Sequence, residues 1–592
     1  MKLEEFFRDE LSWLRKQGAD FSRSWPQLTR FLAEKSADPD VERLLEGFAF
    51  LSGTLRAKIE DDFPELTHGL LNILWPNYLR PVPSFTIIEC QPKVGSITEA
   101  CLVKKGVKLG SKEIKGTGCT FSTCRDIWIL PVELTNLVTI NTNENGCLSL
   151  TLKPFSAMPL DKIRLDNLRL FLGSDYYVAT QLYLYMLNHL KKVTVKLNGA
   201  EFTLSDVKAS PVGFSDNHAL LPYPKNVYSG YRILQEFFCF PEGFLFVDIH
   251  GFDQLPQNIA VSDIELSFHY DKPFPSDCRI TSSSIKLNCS PAANLFEHHS
   301  EPIQLDGKRI NYPLRASHML PEHYEVFSVE KVEGWKSEHA GKDGERIKSE
   351  LRTYHVFESF RHEVEFEKKR TMNYFKVSIH NSLKLKGYEH NISFLRSDES
   401  ILGRSDEIVA VTMLCTNRNL PAELGRGDIC LPLGDSPPWL AYSNILSPSQ
   451  TLRPLIDEKL HWTLISSMAL NYHSLLDKDA LLQIIRNYDF PAMNDGHAAK
   501  ISQKRFEGVE KIETKPVDRL IRGMPVRGIH STLFAKESAF ISEGEFYLFG
   551  CILAQFLSLF SNINSFHELS LIDTENNSAY CWPLQQGNHS LI

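Results

Sequence analysis

The chain has 592 residues, more than one hydrophobic core usually serves, so we expect about three or four domains. Hydrophobic residues make up 43% of the chain and charged residues 23%, which is typical of a soluble globular protein. The formal net charge of −9 gives no electrostatic reason to expect a nucleic acid or an anionic membrane as a partner.

The cysteines and the apolar segments indicate the cellular compartment of the protein. None of the 12 cysteines belongs to a C-x-x-C pair, and most lie in apolar runs, which is typical of reduced, buried cysteines. The first residues carry acids throughout and lack the apolar core of a signal peptide. The longest apolar window, 546–560, is broken by Gly550 and Gln555 and is shorter than the roughly 20 residues of a bilayer span. The sequence therefore predicts a soluble, cytoplasmic protein without direct membrane insertion.

Residues 1–80 carry apolar side chains at helical spacing. Asp38-Pro39-Asp40 predicts a helix start, because acids suit the positive end of a helix. Pro64 predicts the start of a second helix, which ends at Trp75-Pro76. The first of these helices has one apolar stripe, made of Val41, Leu44, Leu45, Phe48, Leu51, Leu55 and Ile59.

After Pro83 the sequence favours strands. Within 323–335, Tyr324, Val326, Ser328 and Glu330 alternate with Glu325, Phe327 and Val329, as expected of a strand. The polar stretch 335–353 predicts a loop or a mobile hairpin tip. Further strands are predicted at 85–90, 120–137, 148–155, 264–270, 356–366, 372–381, 408–418, 528–537 and 567–573, and helices at 179–190, 479–490 and 546–561.

This pattern predicts an α+β fold class, with a helical N-terminal segment followed by several mostly antiparallel β-rich domains with interspersed helices. We place the boundaries as follows: a helical segment for bundling or oligomerisation at 1–80, a β-rich middle region at 81–335, a second β-rich region at 336–450, and an α+β region at 451–592.

No strong catalytic motif is present. The sequence has no phosphate-binding G-x-x-x-x-G-K-[ST] loop, no H-E-x-x-H zinc motif and no G-x-S-x-G nucleophile elbow. Glu297-His298-His299 is a weak metal candidate, because adjacent residues on a strand point to opposite faces. His362 and Glu363 are interpreted as solvated strand residues, and Arg426-Gly427-Asp428 as a turn supported by glycine. We therefore predict no catalytic residue, no cofactor and no metal site.

Eight carboxylates surround the apolar stripe: Asp38, Asp40, Glu42, Glu46, Glu60, Asp61, Asp62 and Glu65. Near a helix N-terminus each such acid contributes about 0.3–1 kcal/mol. No His or Cys accompanies them within 38–62, whereas an oxygen-only metal site requires ligands that converge from several turns. We interpret them as capping and solvated residues. A carboxylate-dependent or metal-dependent hydrolase, or a carbohydrate-binding β protein, remains the alternative.

Charged residues also occur inside the apolar segment 230–252. Arg232 and Glu236 stand four residues apart, so they can pair on a helix. A structural ion pair is the favoured interpretation and a recognition role the alternative.

Blocks in a fixed order along the chain resemble the TssF family (also called VasA or ImpG), a baseplate component of bacterial type VI secretion systems. They span essentially the whole chain: DPDVERLLEGFAFLSGTLRAKIEDDFPELTHGLLNILWPNYLRPVPS, TFSTCRDIWILPVEL, LLPYPKNVYSGYRILQEFFCFPEGFLFVDIHGF, LNCSPAANLFEHHSEPI with HYEVFSVEKV, VTMLCTNRNLP, LHWTLISSMALNYHSL with IIRNYDF, and FYLFGCILAQFLSLFSNINSFHELSL. The family's Trp-Pro-Pro-Arg-like ending is here Trp582-Pro583-Leu584-Gln585, so any role of that arginine does not carry over.

The resemblance implies a non-enzymatic structural subunit of the baseplate wedge, in which two copies assemble with one TssG. It further implies contacts with TssK, TssE, the VgrG spike hub and neighbouring wedges, and a role in priming assembly of the contractile tail. The protein would be cytoplasmic and recruited to the secretion complex anchored in the inner membrane. The stripe from Val41 to Ile59 is then the predicted interface with partner helices.

Overall fold

The computed structural model of the chain describes residues 7–8, 10–15, 39–60, 64–93, 95–204, 207–224, 229–305, 309–337, 349–357, 373–382, 387–396, 407–454, 464–465, 477–521, 523–561 and 565–587. Two compact units divide the chain. The first comprises Met1–Leu74 and Ile456–Met468, and the second comprises Trp75–Leu455 and Ala469–Ile592. The four regions predicted from the sequence remain a prediction.

Two helices dominate the first unit, and both were predicted. Helix α1 is Pro39–Glu60 and helix α2 is Pro64–Leu74. Each begins at a proline, which suits the first turn because proline lacks the backbone N–H that a helix start leaves unbonded. Residues 10–15 are also helical, and Ser52 of α1 donates a hydrogen bond to the carboxylate of Glu10 at 3.2 Å.

Seven α-helices lie in the second unit: α3 (Leu160–Ile163), α4 (Tyr176–Leu184), α5 (Ser229–Cys239), α6 (Lys478–Asn487), α7 (Phe490–Asn494), α8 (Gly496–Gly508) and α9 (Glu543–Phe560), counted over its described residues. Short 3-10 turns and one π turn accompany them: Pro76–Tyr78, Leu165–Asn167, Tyr185–His189, Asp216–His218, Pro241–Phe244, Phe252–Gln254, Pro321–His323, Leu420–Glu423 and Glu537–Ala539. Five of the helices begin after a side chain that accepts a backbone N–H of the first turn, namely Asp175, Asp477, Asp489, Asp495 and Ser542.

Strands make up most of the rest of this unit. In chain order they are β1 (Phe85–Pro92), β2 (Cys101–Val103), β3 (Lys108–Ile114), β4 (Thr117–Thr123), β5 (Ile127–Ile129), β6 (Val132–Asn141), β7 (Gly146–Pro154), β8 (Met158–Pro159), β9 (Leu168–Phe171), β10 (Leu190–Leu197), β11 (Ala200–Leu204), β12 (Lys208–Pro211), β13 (Phe246–His250), β14 (Ala260–Val261), β15 (Ile264–Tyr270), β16 (Cys289–Ala293), β17 (Phe296–His299), β18 (Ile303–Gln304), β19 (Asn311–Pro313), β20 (Glu325–Ser337), β21 (Ser349–Val356), β22 (Asn373–Asn381), β23 (Tyr388–Arg396), β24 (Glu407–Thr416), β25 (Ile429–Pro432), β26 (Leu440–Asn444), β27 (Val509–Ile521), β28 (Met524–Ala535), β29 (Phe566–Asp573) and β30 (Ala579–Gln586).

These strands form seven sheets within the described residues, and the α+β prediction is confirmed. The strand orders are β25-β3-β4-β16-β1-β26, β11-β10-β15-β7-β6, β12-β13-β9, β14-β8, β17-β24-β20-β21-β22-β23-β19 with β18 beside β24, β2-β5, and β27-β28-β29-β30. The paired strands are antiparallel, apart from β21 with β22 and β28 with β29. The predominantly antiparallel arrangement expected from the sequence is therefore present.

Two sheets enclose separate apolar cores. In the sheet that begins with β25, Asn444 of β26 accepts the N–H groups of Gly427 (3.0 Å, backbone oxygen) and Ile429 (2.9 Å, side chain), so the two outer strands come together. The buried residues of this sheet include Ile88, Leu109, Cys119, Phe121 and Ile129. The core of the largest sheet includes Val332, Ile392, Val409, Val411, Met413 and Cys415.

Helix α9 is the central helix of the second unit. It packs against α4, α5, β29 and β30, and its side chains from Phe546 to Phe549 are buried. At its start the Ser542 hydroxyl lies 2.9 Å from that of Thr180, and Gly544 lies directly against the backbone of Thr180. Only a glycine allows so close an approach of the two backbones.

One strand departs from its predicted pattern. The alternation predicted for 323–335 is wrong over its first half, because residues 324–328 are all buried. β20 carries register shifts against β24 between Val326 and Ser328 and between Val329 and Lys331. Such bulges change which face a side chain occupies, so simple alternation fails.

The predicted hairpin tip and one predicted strand lie partly outside the described residues. β20 and β21 pair as an antiparallel hairpin, and residues 338–348 between them lie outside the described residues, as do 358–366 of the predicted strand 356–366.

Candidate assembly surface

The apolar stripe of α1 divides along its length into a covered edge and an exposed edge. Val41 and Leu45 are half-buried, whereas Leu44, Phe48 and Leu51 are 74%, 60% and 68% exposed. The backbone of Leu55 and Ile59 continues the helix, but their side chains lie outside the described part. We call Leu44, Phe48 and Leu51 the exposed row.

The contacts of α1 within its own unit explain this division. Ala49 is fully buried and Ser52 bonds to Glu10, so this side of α1 faces the interior of its own unit. Residues 44, 48 and 51 follow one another at spacings of four and three, so they project from one line along the neighbouring edge of the stripe. α2 repeats the arrangement, because Leu71 is fully buried while Ile73 and Leu74 are exposed. The first unit therefore presents apolar side chains that its own described residues leave uncovered.

Some of the acids around the stripe lie outside the described residues. Asp40 is exposed and its carboxylate lies 3.7 Å from Arg43, and Glu46 is also exposed. Asp38, Asp61 and Asp62, and the side chains of Glu42, Glu60 and Glu65, lie outside the described part. The two acids that can be placed are solvated, as expected, and the assignment of the others remains a prediction.

A second apolar surface was missed by sequence reasoning. Trp335 of β20 stands opposite Leu351 of β21 and Ile408 of β24, and the three side chains are 40%, 55% and 50% exposed. Directly opposed residues on neighbouring strands share a face of the sheet. Only the register brings these residues together, since they are far apart in the sequence.

The predicted Arg232–Glu236 ion pair is present on α5. Arg232 Nη1 lies 3.2 Å from Glu236 Oε2, and the side chains are 2% and 1% exposed. Burial raises the pKa of the Glu236 carboxyl, and the facing guanidinium opposes that shift. Nearby, burial lowers the pKa of Arg125 to about 10, and this side chain donates to the carbonyl oxygens of His218 and Gly243 at 2.8 Å. These contacts join helix, turns and strands, so the cluster has a structural role.

The weak metal candidate is dispersed. Glu297 and His299 are exposed on one face of β17, and His298 turns away and bonds through Nε2 to the carbonyl oxygen of Ser317 at 2.8 Å. Across the described residues, no group of three or more His, Cys, Asp or Glu side chains is arranged to hold a metal ion. His362 and Glu363 lie outside the described part.

Arg426-Gly427-Asp428 forms a turn, as predicted. Gly427 has φ +78°, and the Asp428 carboxylate accepts the N–H of Gly425 at 2.8 Å and lies 2.7 Å from Lys112 Nζ. The aspartate is therefore held by contacts of its own loop and of β3.

A polar cleft of about 460 Å³ lies between β5, β9 and β13, lined in part by Asp126, His218 and His250. Arg169 donates from Nε and Nη2 to the two carboxylate oxygens of Asp248 at 2.7 and 2.8 Å. Because this bidentate pair neutralises both groups, the charges of Arg169 and Asp248 are already used in holding β9 to β13.

The long apolar helix was predicted to be a core helix, and α9 is buried in the second unit. None of the helices described here combines the length and the hydropathy that a membrane span requires.

Comparison with known proteins identifies the family. The family described as Type VI secretion system, TssF matches residues 1–589. The type VI secretion system component TssF1 of Pseudomonas aeruginosa is 28% identical over 628 residues, covering 99% of each chain. A chain in the cryo-electron microscopy structure of a TssK-TssF-TssG baseplate subcomplex is similar with a TM-score of 0.76 and 27% identity, over 92% of this chain and 98% of that one.

A second solved structure, the baseplate complex from a type VI secretion system, contains a chain of the same fold, with a TM-score of 0.66, 24% identity and full coverage of both chains. The family match extends over nearly the whole length, and the fold agrees over the same length. This chain therefore belongs to the TssF family of type VI secretion system proteins.

Proposed function

We propose that this chain is a non-enzymatic structural subunit of the type VI secretion baseplate, and that two copies assemble with one TssG-type subunit to form the wedge. Family membership and the likeness to a chain of a TssK-TssF-TssG baseplate subcomplex support this proposal. The main support for this assembly role is the exposed row of α1, because a helix with uncovered apolar side chains requires a partner to bury them.

The exposed row suits a partner helix. Its spacing of four and three residues is that of a helix–helix seam, in which each side chain inserts between side chains of the facing helix. Burying one Leu or Phe side chain contributes about 1.5–3 kcal/mol. Two copies that share a single partner occupy unequal environments, so the same row makes different contacts in each copy.

The remaining surfaces of the wedge subunit serve the other contacts. These are TssK, TssE, the VgrG spike hub and neighbouring wedges, and through them the wedge primes assembly of the contractile tail. The protein works in the cytoplasm and is recruited to the complex anchored in the inner membrane. Neither a cofactor nor a metal takes part in this function.

The experiment is co-production of the full chain with the TssG-type and TssK-type subunits of the same secretion system, followed by native mass spectrometry. The parent chain is expected to give a complex with two copies per TssG-type subunit. Leu44→Asp and Phe48→Asp each place a charge in the buried seam and are expected to abolish the complex. Both side chains are exposed in the single chain, so its melting temperature stays unchanged.

Glu46→Ala is the matched control, because this residue is exposed on the same helix away from the exposed row. It is expected to assemble like the parent. A stable chain that forms no complex with either subunit, or Leu44→Asp and Phe48→Asp variants that assemble normally, would refute the proposal.

A further inference from the structure

Strand β6 is an outer strand of the five-stranded sheet. It pairs with β7 on one side, and no strand within the described residues pairs with it on the other. Val132 is buried, and the residues that follow it in β6 are half-buried or exposed. The backbone N–H and C=O groups that alternate residues direct outward therefore have no strand partner in the described part of the chain.

The outer edge of β6 lacks the features that normally prevent the addition of another strand. Such edges are usually short, or they carry charged residues or proline. Residues 134–141 (LTNLVTIN) contain neither a charge nor a proline. The one charged residue of the strand, Glu133, lies opposite Lys153 of β7. We call residues 134–141 the neutral edge.

The other outer strands of the described sheets are protected. β26 lies beside β25, and β2, β5, β8, β14, β18 and β19 have three residues or fewer. Each of the remaining outer strands carries a charged residue or a proline, namely Arg169 in β9, Glu201 in β11, Lys208 in β12, Glu297 in β17, Pro516 in β27 and Pro583 in β30. The neutral edge is therefore the exception among the sheets described here, and it is where a further strand is expected.

The charge and the apolar side chains of the neutral edge match a second copy of the same strand. Antiparallel pairing about a two-fold axis opposes no like charges, because the neutral edge has none and the two Glu133 side chains lie at opposite ends of the pair. Val138 and Ile140 share the face opposite to that of the buried Leu148, and they are 42% and 56% exposed. When two copies continue one sheet, these side chains of both copies lie on one face and cover each other.

We propose that two copies of this chain pair through the neutral edge, antiparallel and edge to edge, so that their five-stranded sheets form one continuous sheet. The register shift between Leu134 and Asn136 limits the regular ladder to residues 136–141. The inference rests on the proposed function in that two copies occur in one wedge, and it specifies a direct contact between them. This contact belongs to the second unit and is separate from the exposed row of α1.

The first test is sedimentation velocity of the full chain alone over a range of concentrations. Every chain carries Leu44→Asp, so that association through the exposed row is weakened. The proposal expects a dimer that Val138→Lys and Val138→Glu each weaken at least about tenfold, because like charges then face each other across the two-fold axis. An equal mixture of the two variants is expected to restore the dimer, because opposite charges then meet.

Leu320→Lys is the matched control, because this side chain is 63% exposed and lies outside the strands. It is expected to dimerise like the Leu44→Asp chain. The melting temperature of the Val138 variants is expected to stay unchanged, since charged side chains are common on outer strands. A chain that stays monomeric at every concentration, Val138 variants that dimerise like the control, or a mixture that restores nothing overturns the proposal.

The second test places the photo-crosslinking residue p-benzoylphenylalanine at position 138 or 320 of the full chain, co-produced with the TssG-type and TssK-type subunits. The proposal expects a covalent product of two copies of this chain at position 138, several-fold above position 320. Capture of the TssG-type or TssK-type subunit at position 138 would show that a strand of another protein occupies the neutral edge, and would overturn the proposal. Equal capture at both positions, or none, does the same.

Two outcomes separate this inference from the proposed function. If the Val138 variants dimerise like the control while Leu44→Asp abolishes the complex with the TssG-type subunit, the inference fails and the proposed function stands. If the mixture of Val138 variants restores the dimer while Leu44→Asp and Phe48→Asp chains assemble normally with that subunit, the inference stands and the proposed function fails.

Discussion

Arg232 and Glu236 form an ion pair in the interior of the second unit, with 3.2 Å between Nη1 and Oε2 one helical turn apart. Oε1 of the same glutamate accepts the N–H of Leu220 at 2.8 Å, and the arginine also donates to the carbonyl oxygens of Gly213 and Phe214. The pair thus fastens the loop before α5 to the helix itself.

Removing one member of this pair is expected to be costly. Glu236→Ala leaves a buried guanidinium without its counter-charge, and breaking such a pair typically costs about 3–5 kcal/mol. Differential scanning fluorimetry of the full chain measures the loss as a lower melting temperature. Asp40→Ala is the control, because its contact with Arg43 is solvated on both sides (81% and 85% exposed) and such pairs contribute little. An unchanged melting temperature in Glu236→Ala would contradict the assigned structural role.

Acid is expected to destabilise the protein through buried histidines. Burial lowers the pKa of His390 to about 4 and that of His567 to about 3. Because the unfolded chain binds these protons at about pH 6.5, the stabilisation from the neutral rings is present above that pH and is lost as the pH falls towards 4. Melting temperatures between about pH 7.5 and 4.5 measure this slope.

Comparing the parent with His390→Gln isolates the contribution of this histidine. The variant is expected to show a flatter slope of melting temperature against pH. The buried Glu236, whose pKa burial raises, gives a contribution of opposite sign, present at low pH and lost as the pH rises. It is the same in both proteins and cancels. His318→Gln, an exposed position, serves as the control. A slope that His390→Gln leaves unchanged would rule out this histidine as a source of acid sensitivity.

Two helical glycines are expected to respond to alanine with opposite signs. A Cβ at Gly544 would overlap the backbone of Thr180, so Gly544→Ala must push α9 away from α4 and is expected to cost about 1–3 kcal/mol. Nothing lies within 4 Å of a Cβ at Gly47 in α1, so Gly47→Ala is expected to stabilise by up to about 1 kcal/mol. Melting temperatures of the two variants give the test, and a stabilised Gly544→Ala would show that the helices are not in close contact.

Divalent cations are expected to leave stability unchanged. A ligand that binds only the folded state raises the melting temperature, so Mg²⁺, Ca²⁺ or Zn²⁺ at low millimolar concentration would reveal a specific site. We expect the same melting temperature with each cation and with EDTA. A rise of more than a few degrees that is reversed by EDTA would favour the metal-dependent alternative.

The helices of the first unit were predictable because proline marks their boundaries. Pro39, Pro64 and Trp75-Pro76 set the limits of α1 and α2 as expected. The division of the stripe was not predictable, since Leu45 and Leu44 are chemically alike and differ only in what lies opposite them. That difference arises from the position of Glu10 and of the interior of the unit, which a helical pattern does not contain.

Strand pairing was the part of the fold that the sequence predicted least well. β15 was predicted at its observed bounds, because IELSFHY is bounded by polar residues, whereas β27 was missed because EKIETKPVDR is too charged to resemble a strand. Its strand conformation comes from pairing with β28 along its whole length. The row of Trp335, Leu351 and Ile408 likewise depends on register, and the bulges in β20 shift that register in a way that residue types alone do not indicate.

The central position of α9 affects how the protein is made. It follows α5 by about 300 residues, which a ribosome needs roughly 15–60 s to translate at 5–20 residues per second. During that time α4 and α5 have emerged without the helix that covers them, and their apolar surfaces are open to chaperones and to aggregation. Translation speed over 240–542 should therefore affect the yield of folded protein more than it affects the stability of the folded chain.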